Sequence, residues 1–417
     1  MLFEKPKHHQ PRVSEFQAII LAGYGSSNSN DRLYPISEED NLPKALLPVG
    51  NKPVISYTLD WLEKAGIYEA IVVGNAAQKL SAYLRGYTGN VHCTVANVDE
   101  DIGTAAALRT IKEKIDATLF YEPGSTEASS KDDEPLPYVG IDPTQNALVY
   151  KTHRSEDEDF SMRMSLLKKF PRVRVHTDLQ DAHLYIFKKW VIDILADKEN
   201  VESISEDLIP LLVKCQYQRK LVERENIEKY SSTYHDLLVN ALSLSTTQSV
   251  DIDPSFKTNP TDSNFKSPIK SYVHVYRDGF CGRGNTIASY SELNRYVTKQ
   301  GANIIRQPTT AEIAPRTQVG NDSVIGEYTK IDEKSSVKKS CVGAHCIIGK
   351  NVKIANSVIM DHVVISDNVK IDGCVICHHA TILDKAVMKD CEVAGGYTVD
   401  KDSQLKGEKL VSFREAI

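Results

Sequence analysis

An apolar run from Phe16 to Ala22 ends in Gly23-Tyr24-Gly25, and Arg32 and Lys44 follow it. Glycines at the end of a buried strand let backbone N–H groups come close to a phosphate, and cations downstream can neutralise its charge. Gly23, Gly25 and Lys44 are residue types of that kind, and any pocket that they line is a degenerate one. Two other groups of residues suggest chemistry. Cys374-Val375-Ile376-Cys377-His378 has the spacing of a haem attachment, and Cys341 and Cys346 offer half of a zinc site. Neither is completed. The zinc spacing lacks a second cysteine pair, and the haem pattern lies in a repeat that already accounts for its apolar residues. We read the cysteines as buried structural thiols. The third group is His345, His362, His378 and His379, which could supply a general base for acyl transfer. Base catalysis requires geometry first, so these read as solvated bystanders. The residues assign no catalytic group, no metal and no cofactor.

The elements that position these residues begin with a buried strand at 16–22. A helix over 53–66 follows, with Pro53 in its first turn, Ile55, Leu59, Leu62 and Ala65 at helical spacing, and Gly66 at its end. Ala70 to Val73 is the next strand, so strand, loop, helix and strand imply a parallel α/β sheet. The polar, Pro- and Gly-containing stretch 122–137 reads as an exposed loop. Tyr138–Ile141, Ala147–Tyr150, Val173–His176 and His183–Phe187 read as strands, and Trp190–Leu195 begins a helix. Residues 243–268, poor in large apolar side chains, read as a linker or flexible insertion.

The C-terminal part is periodic. Val319, Ile325, Ile331 and Val337 are six apart; after a five-residue step Val342, Ile348, Ile354 and Met360 follow; one more slip leads to Ile365, Ile371, Cys377 and Leu383. Glycine follows the apolar residue at Gly320, Gly326, Gly343 and Gly349, where a tight corner tolerates no bulky Cβ. Hexapeptides of this kind build a left-handed parallel β-helix, three to a coil, and the span predicts roughly four to five coils.

With 417 residues the chain has room for two or three domains. A formal net charge of -6 gives no general attraction to nucleic acid, and no apolar run approaches the roughly 20 residues that cross a bilayer. The polar start at 1–11 is not signal-like, and the eight cysteines are scattered rather than dense. Those features predict a cytosolic protein with reduced thiols, no membrane contact and no direct nucleic-acid partner.

Leu21-Ala22-Gly23, Arg32-Leu33-Tyr34-Pro35, Pro43-Lys44-Ala45-Leu46-Leu47-Pro48-Val49 and Asn51-Lys52-Pro53-Val54-Ile55 resemble, in order, the opening of the sugar-phosphate nucleotidylyltransferases. The resemblance implies a glycine-rich loop around a nucleotide, cations on its phosphates and aspartates on magnesium. The chain departs from that pattern. Tyr24 replaces a glycine, Asn28 to Asp31 are inserted before Arg32, and Ala106 replaces the second glycine in Ile102-Gly103-Thr104-Ala105-Ala106-Ala107-Leu108. After Ile115-Asp116 the strand carrying the metal aspartate is missing, and Ala117-Thr118-Leu119-Phe120-Tyr121-Glu122 follows instead.

Within that superfamily, further segments resemble the gamma-subunit family of eukaryotic translation initiation factor 2B. They include Glu15-Phe16-Gln17-Ala18, Phe170-Pro171-Arg172-Val173-Arg174-Val175-His176-Thr177, Asp181-Ala182-His183-Leu184-Tyr185, Ser205-Glu206-Asp207-Leu208-Ile209-Pro210, Tyr272-Val273-His274-Val275 and Ser335-Ser336-Val337-Lys338-Lys339-Ser340. This resemblance implies a non-catalytic subunit of a cytosolic complex with an epsilon subunit and alpha, beta and delta regulatory subunits, promoting GDP/GTP exchange on translation initiation factor 2. The expected architecture is α/β: a Rossmann-like nucleotidyltransferase domain over 14–300, a left-handed β-helix over 310–400 and a tail over 401–417. An active sugar-phosphate nucleotidyltransferase, or a hexapeptide acyltransferase, is the competing expectation.

Overall fold

A computed structural model of the chain describes residues 16–23, 33–36, 42–98, 103–112, 136–152, 161–231, 267, 269–275, 282, 284–300 and 306–411. Tyr24, Gly25, Arg32, the stretch 113–121, the polar start and nearly all of 122–137 and 243–268 lie outside the described residues. The chain divides into two units. One comprises Met1–Ile19, Glu69–Ile71 and Ile102–Cys281; the other comprises Ile20–Tyr68, Val72–Asp101 and Gly282–Ile417. Part of the 14–300 span thus groups with the β-helix.

Strand β1 (Ala18–Leu21) is followed by an antiparallel hairpin, β2 (Pro48–Val49) and β3 (Lys52–Pro53), then helix α1 (Val54–Lys64), β4 (Glu69–Gly74), α2 (Ala77–Arg85) and β5 (His92–Asn97). Helix α1 lies inside the expected span 53–66 but is shorter: Pro53 precedes it at the N-cap position instead of opening its first turn, Ile55, Leu59 and Leu62 are buried, and Gly66 turns the chain at φ +79°. The strands order as β1-β4-β5. His92 N donates to Tyr68 O and Val98 N to Gly74 O, the same offset at both ends, so β4 and β5 run parallel as expected.

Beyond Ile102 come α3 (Thr104–Thr110), β6 (Tyr138–Asp142), β7 (Ala147–Thr152), α4 (Met164–Lys169), β8 (Arg174–His176), α5 (Lys189–Asp197), a π-helical turn at Ile204–Leu208, α6 (Ile209–Cys215) and α7 (Arg219–Arg224). Strands β7, β6 and β8 make one antiparallel sheet. The strand expected at His183–Phe187 is absent; that segment has no regular structure. His183 stands at φ +53° and its N–H is taken by the Asp181 side chain, so a local turn replaces a ladder.

Helix α8 (Ile287–Gln300) precedes a parallel β-solenoid whose strands run from Glu312–Ile313 to Lys409–Leu410 in three six-stranded sheets. Six coils exceed the four to five expected, and the last uses Gln404–Lys406 and Lys409–Leu410, inside the span read as tail. The inward residues stack as Val319, Val337, Ile354, Ile371, Met388 and Leu405 on one side, Ile325, Val342, Ile359, Ile376, Val393 and Leu410 on the next, and Ile313, Ile331, Ile348, Ile365, Ile382 and Val399 on the third. From Val337 onward one step of five recurs in every coil, so partners lie 17 residues apart; the first interval, Val319 to Val337, is 18. This corrects three ladder positions: Ile359, Ile376 and Ile382 point inward where Met360, Cys377 and Leu383 were expected. Met360 and Cys377 are buried elsewhere, against Leu33, Ile36, Leu47, Val49 and Tyr290. The glycine expectation holds at Gly343, where a Cβ would meet Asp361 Oδ1 at 2.4 Å and the Met360 backbone at 2.6 Å.

The short step is made at a corner filled by Ser340, Ser357, Cys374 and Cys391, with Ser323 at the same corner of the coil below them. The backbone N–H groups of Ser340, Ser357, Cys374 and Cys391 donate to the hydroxyl or thiol one coil below, at 3.4, 3.2, 3.1 and 3.4 Å in turn. Ser357→Ala leaves the buried Cys374 N–H without its acceptor and should cost about 1–3 kcal/mol in a urea titration. Ser357→Cys, which repeats the next rung, should cost less.

Candidate functional site

Gly23 follows β1, anchored by the Ala22 N–H to Val73 O bond of 2.7 Å, and an added Cβ there would meet nothing within 4 Å. Lys44 opens a 3-10 turn, Lys44–Leu46, behind buried Pro43, and is itself half-buried. The third expected residue, Gly25, is outside the described residues. Close backbone approach is instead found at Gly103, where a Cβ would lie 2.4 Å from Glu202 O. Ala105 N donates to that carbonyl at 2.8 Å and Ile204 N to Thr104 Oγ1 at 2.9 Å. The glycine therefore serves the chain's own 202–204 segment, which Asp207 holds by accepting from the N–H groups of Glu202 and Ser203. Arg109 ties the same region down, donating to the carbonyls of Leu195, Glu199 and Val201.

The cysteines are structural in their geometry. The Cys341 thiol lies 3.1 Å from Asn51 Oδ1, Cys346 donates to Met360 O at 3.1 Å, and Cys374 donates to Asp372 O at 3.3 Å. Burial pushes each of the three thiols up to about 12. At neutral pH they stay protonated, so they are not activated thiolate nucleophiles. Both sulfurs of the haem-like motif are buried, at 1% and 0% exposure for Cys374 and Cys377. Among the described residues no group of three or more His, Cys, Asp or Glu is disposed to hold a metal ion.

The repeat histidines form a stack. The rings of Tyr328, His345, His362 and His379 lie 5.1, 4.9 and 4.9 Å apart with interplanar angles of 9°, 1° and 5°. All four residues adopt φ between 55° and 59°, the left-handed corner that histidine tolerates better than β-branched residues. Side chains engaged face to face are aligned by the coil repeat, not aimed at a shared point. His378 points elsewhere and is half-buried; burial lowers its pKa against the opposing pull of Asp361.

A polar cluster that sequence reasoning missed lies on the sheet β7-β6-β8. The Lys151 ammonium, on β7, forms an ion pair with Asp181, with side-chain exposures of 7% and 11%. Ser205 Oγ accepts from Lys151 at 2.9 Å and donates to Asp181 Oδ2 at 3.2 Å, while Tyr185 OH donates to the same oxygen at 2.6 Å. His183 N–H donates to Oδ1 at 2.8 Å. Burial alone would raise the Asp181 carboxyl, but Lys151, His183 and these hydrogen bonds outweigh it and hold the group well below the usual carboxylate range. The only sequence signal was the motif Asp181-Ala182-His183-Leu184-Tyr185; its partners stand 30 and 24 residues away.

No helix among the described residues is long and apolar enough to cross a membrane. Residues 17–121 match the nucleotidyl transferase family, and residues 302–405 match the family described as the EIF2B subunit epsilon LbH domain. The chain is similar to the translation initiation factor eIF2B subunit gamma of Schizosaccharomyces pombe, 34% identical over 364 residues, covering 78% of this chain and 74% of that one. Its similarity to the same-named subunit of Dictyostelium discoideum is 30% over 398 residues, covering 80% and 88%. A bifunctional protein GlmU of Methanococcus maripaludis is 25% identical over 341 residues, covering 79% and 77%. With a nucleotidyltransferase domain followed by a β-solenoid, and with those two gamma subunits matched over most of their lengths, the chain belongs to the gamma-subunit family of translation initiation factor eIF2B.

Proposed function

We propose that this chain is a non-catalytic subunit of the translation initiation factor 2B complex. It pairs with the epsilon subunit, joins the alpha, beta and delta subunits in the cytosol, and supports GDP/GTP exchange on translation initiation factor 2 by offering scaffold and a docking surface. The observation that carries this reading is the 34% identity to a gamma subunit across 78% of the chain. The closed packing of Gly103 on Glu202 and the protonated thiols support it, because they leave no open backbone cradle or activated sulfur at those places. In this reading the 14–300 span supplies the degenerate pyrophosphorylase part, and Gly23, Gly25 and Lys44 line a vestigial nucleotide pocket.

Co-expression with the epsilon subunit tests the assembly. The pair should co-purify and exchange GDP on its substrate factor faster than epsilon alone; separate elution with unchanged exchange would sink the proposal. A magnesium-dependent pyrophosphate-exchange assay with sugar phosphates checks the enzymatic alternative, which the similarity to GlmU keeps in view. We expect no turnover, and robust turnover would replace the scaffold reading with an enzyme. Calorimetry with GTP, ATP or sugar nucleotides reads the vestigial pocket, and absence of heat would remove it.

A further inference from the structure

We propose that Lys151, Ser205, Tyr185 and the His183 N–H form a carboxylate-binding seat whose occupant, Asp181, is supplied by the chain itself. Three elements without sequence adjacency converge on one carboxylate. Lys151 comes from β7, Ser205 from the π-helical turn Ile204–Leu208, and Tyr185 and the His183 N–H come from the irregular segment beside Asp181. Every group aimed at the two oxygens is a donor. Oδ2 receives Lys151, Ser205 and Tyr185, and Oδ1 receives the His183 N–H. Charge-assisted donors in a water-poor site make up the machinery of anion recognition, and an ion pair would need only one of them. The Lys151 ammonium also lies 5.7 Å from the centre of the Tyr185 ring, so an aromatic wall flanks the seat on that side.

A tethered occupant makes the seat permanently full. A free carboxylate or phosphate meets no vacant cation there, because it would have to displace a carboxylate held by four donors. The segment 181–187 is fastened to β7 and to the π-helical turn through the same bonds, so occupancy and loop placement are one event. This holds whether or not the chain acts within an exchange factor, since it concerns only the chemistry of the seat.

Asp181→Ala removes the carboxylate and leaves room for formate. The variant should melt at a lower temperature than the parent. Sodium formate should raise its melting temperature in a saturable manner, more than sodium chloride at equal ionic strength, while the parent responds equally to both salts. Phosphate, tetrahedral and bulkier, should restore less than formate. The double variant Lys151→Met/Asp181→Ala should lose the formate response. If Asp181→Ala does not accumulate as folded protein, its refolding yield in formate over chloride becomes the readout, with a gain expected. Equal effects of formate and chloride on the variant, a greater effect of phosphate, or an undiminished formate response in the double variant would each overturn the proposal.

Discussion

Lys151→Met is expected to lower stability by about 3–5 kcal/mol, because it strands a buried carboxylate rather than merely deleting a contact. Its side chain is 7% exposed and that of Asp181 11%, so water cannot take over the lost solvation. The double variant Lys151→Met/Asp181→Leu should regain much of the loss, since an apolar pair of similar size can replace a buried ion pair with little penalty. Urea denaturation of the parent, both single variants and the double variant gives the coupling directly. The pH dependence has a definite sign. Asp181 is depressed in the folded state, so its contribution is fully present above the unfolded value of about 3.9 and disappears as the pH falls through the lower, folded value. Parent and Asp181→Asn should therefore differ by a constant amount near neutrality, with the gap narrowing only below about pH 4. A gap that narrows between pH 5 and 7 would contradict the assignment.

Tyr290→Ala is expected to cost about 3–5 kcal/mol, the range for removing a large buried aromatic side chain. Tyr290 on α8 is 1% exposed and packs with Leu33, Ile36, Leu47, Val49, Val358, Met360, Val375 and Cys377. Its hydroxyl donates to Pro48 O at 2.6 Å, and burial raises its pKa well above the ordinary value. Tyr290→Phe keeps the packing and should cost about 1 kcal/mol, the net worth of one hydrogen bond. The region joins three pieces of one unit. Asn51, at the hairpin turn with φ +63°, donates from Nδ2 to Val342 O at 2.7 Å, and Gly50 N donates to Asn294 Oδ1 at 3.0 Å. Loss of Tyr290 should consequently increase hydrogen exchange of the β2–β3 hairpin as well as of the neighbouring solenoid strands. Exchange confined to α8 would show that the hairpin is held without Tyr290, by bonds such as Asn51 Nδ2 to Val342 O.

The solenoid was legible because its periodicity is local: an inward apolar residue and a small corner residue recur within each hexapeptide. Its phase was less legible. Met360 and Cys377 are apolar and buried, so composition could not separate them from Ile359 and Ile376; only stacking against the coils above and below distinguishes inward from outward. The expected strand at His183–Phe187 failed for a related reason. Alternating apolar residues there, Leu184, Ile186 and Phe187 among them, suit a strand, but Asp181 captures the His183 N–H and sends the chain into a left-handed turn.

At the candidate site, the sequence by itself determined which residue types were present: the glycines and Lys44 after the first strand, the scattered thiols, the repeat histidines and the Asp181-Ala182-His183 motif. It also determined the α/β-then-solenoid order, because strand, helix and repeat patterns depend on neighbours a few residues away. Tertiary structure alone decided what those residues do. It placed Gly103 under Glu202, aligned three histidines into a stack one coil apart, buried the Cys341, Cys346 and Cys374 thiols in their protonated form and brought Lys151 and Ser205 to Asp181. Electrostatics and desolvation act through space, so residues far apart in the chain set one another's charge state only after the fold has brought them into contact.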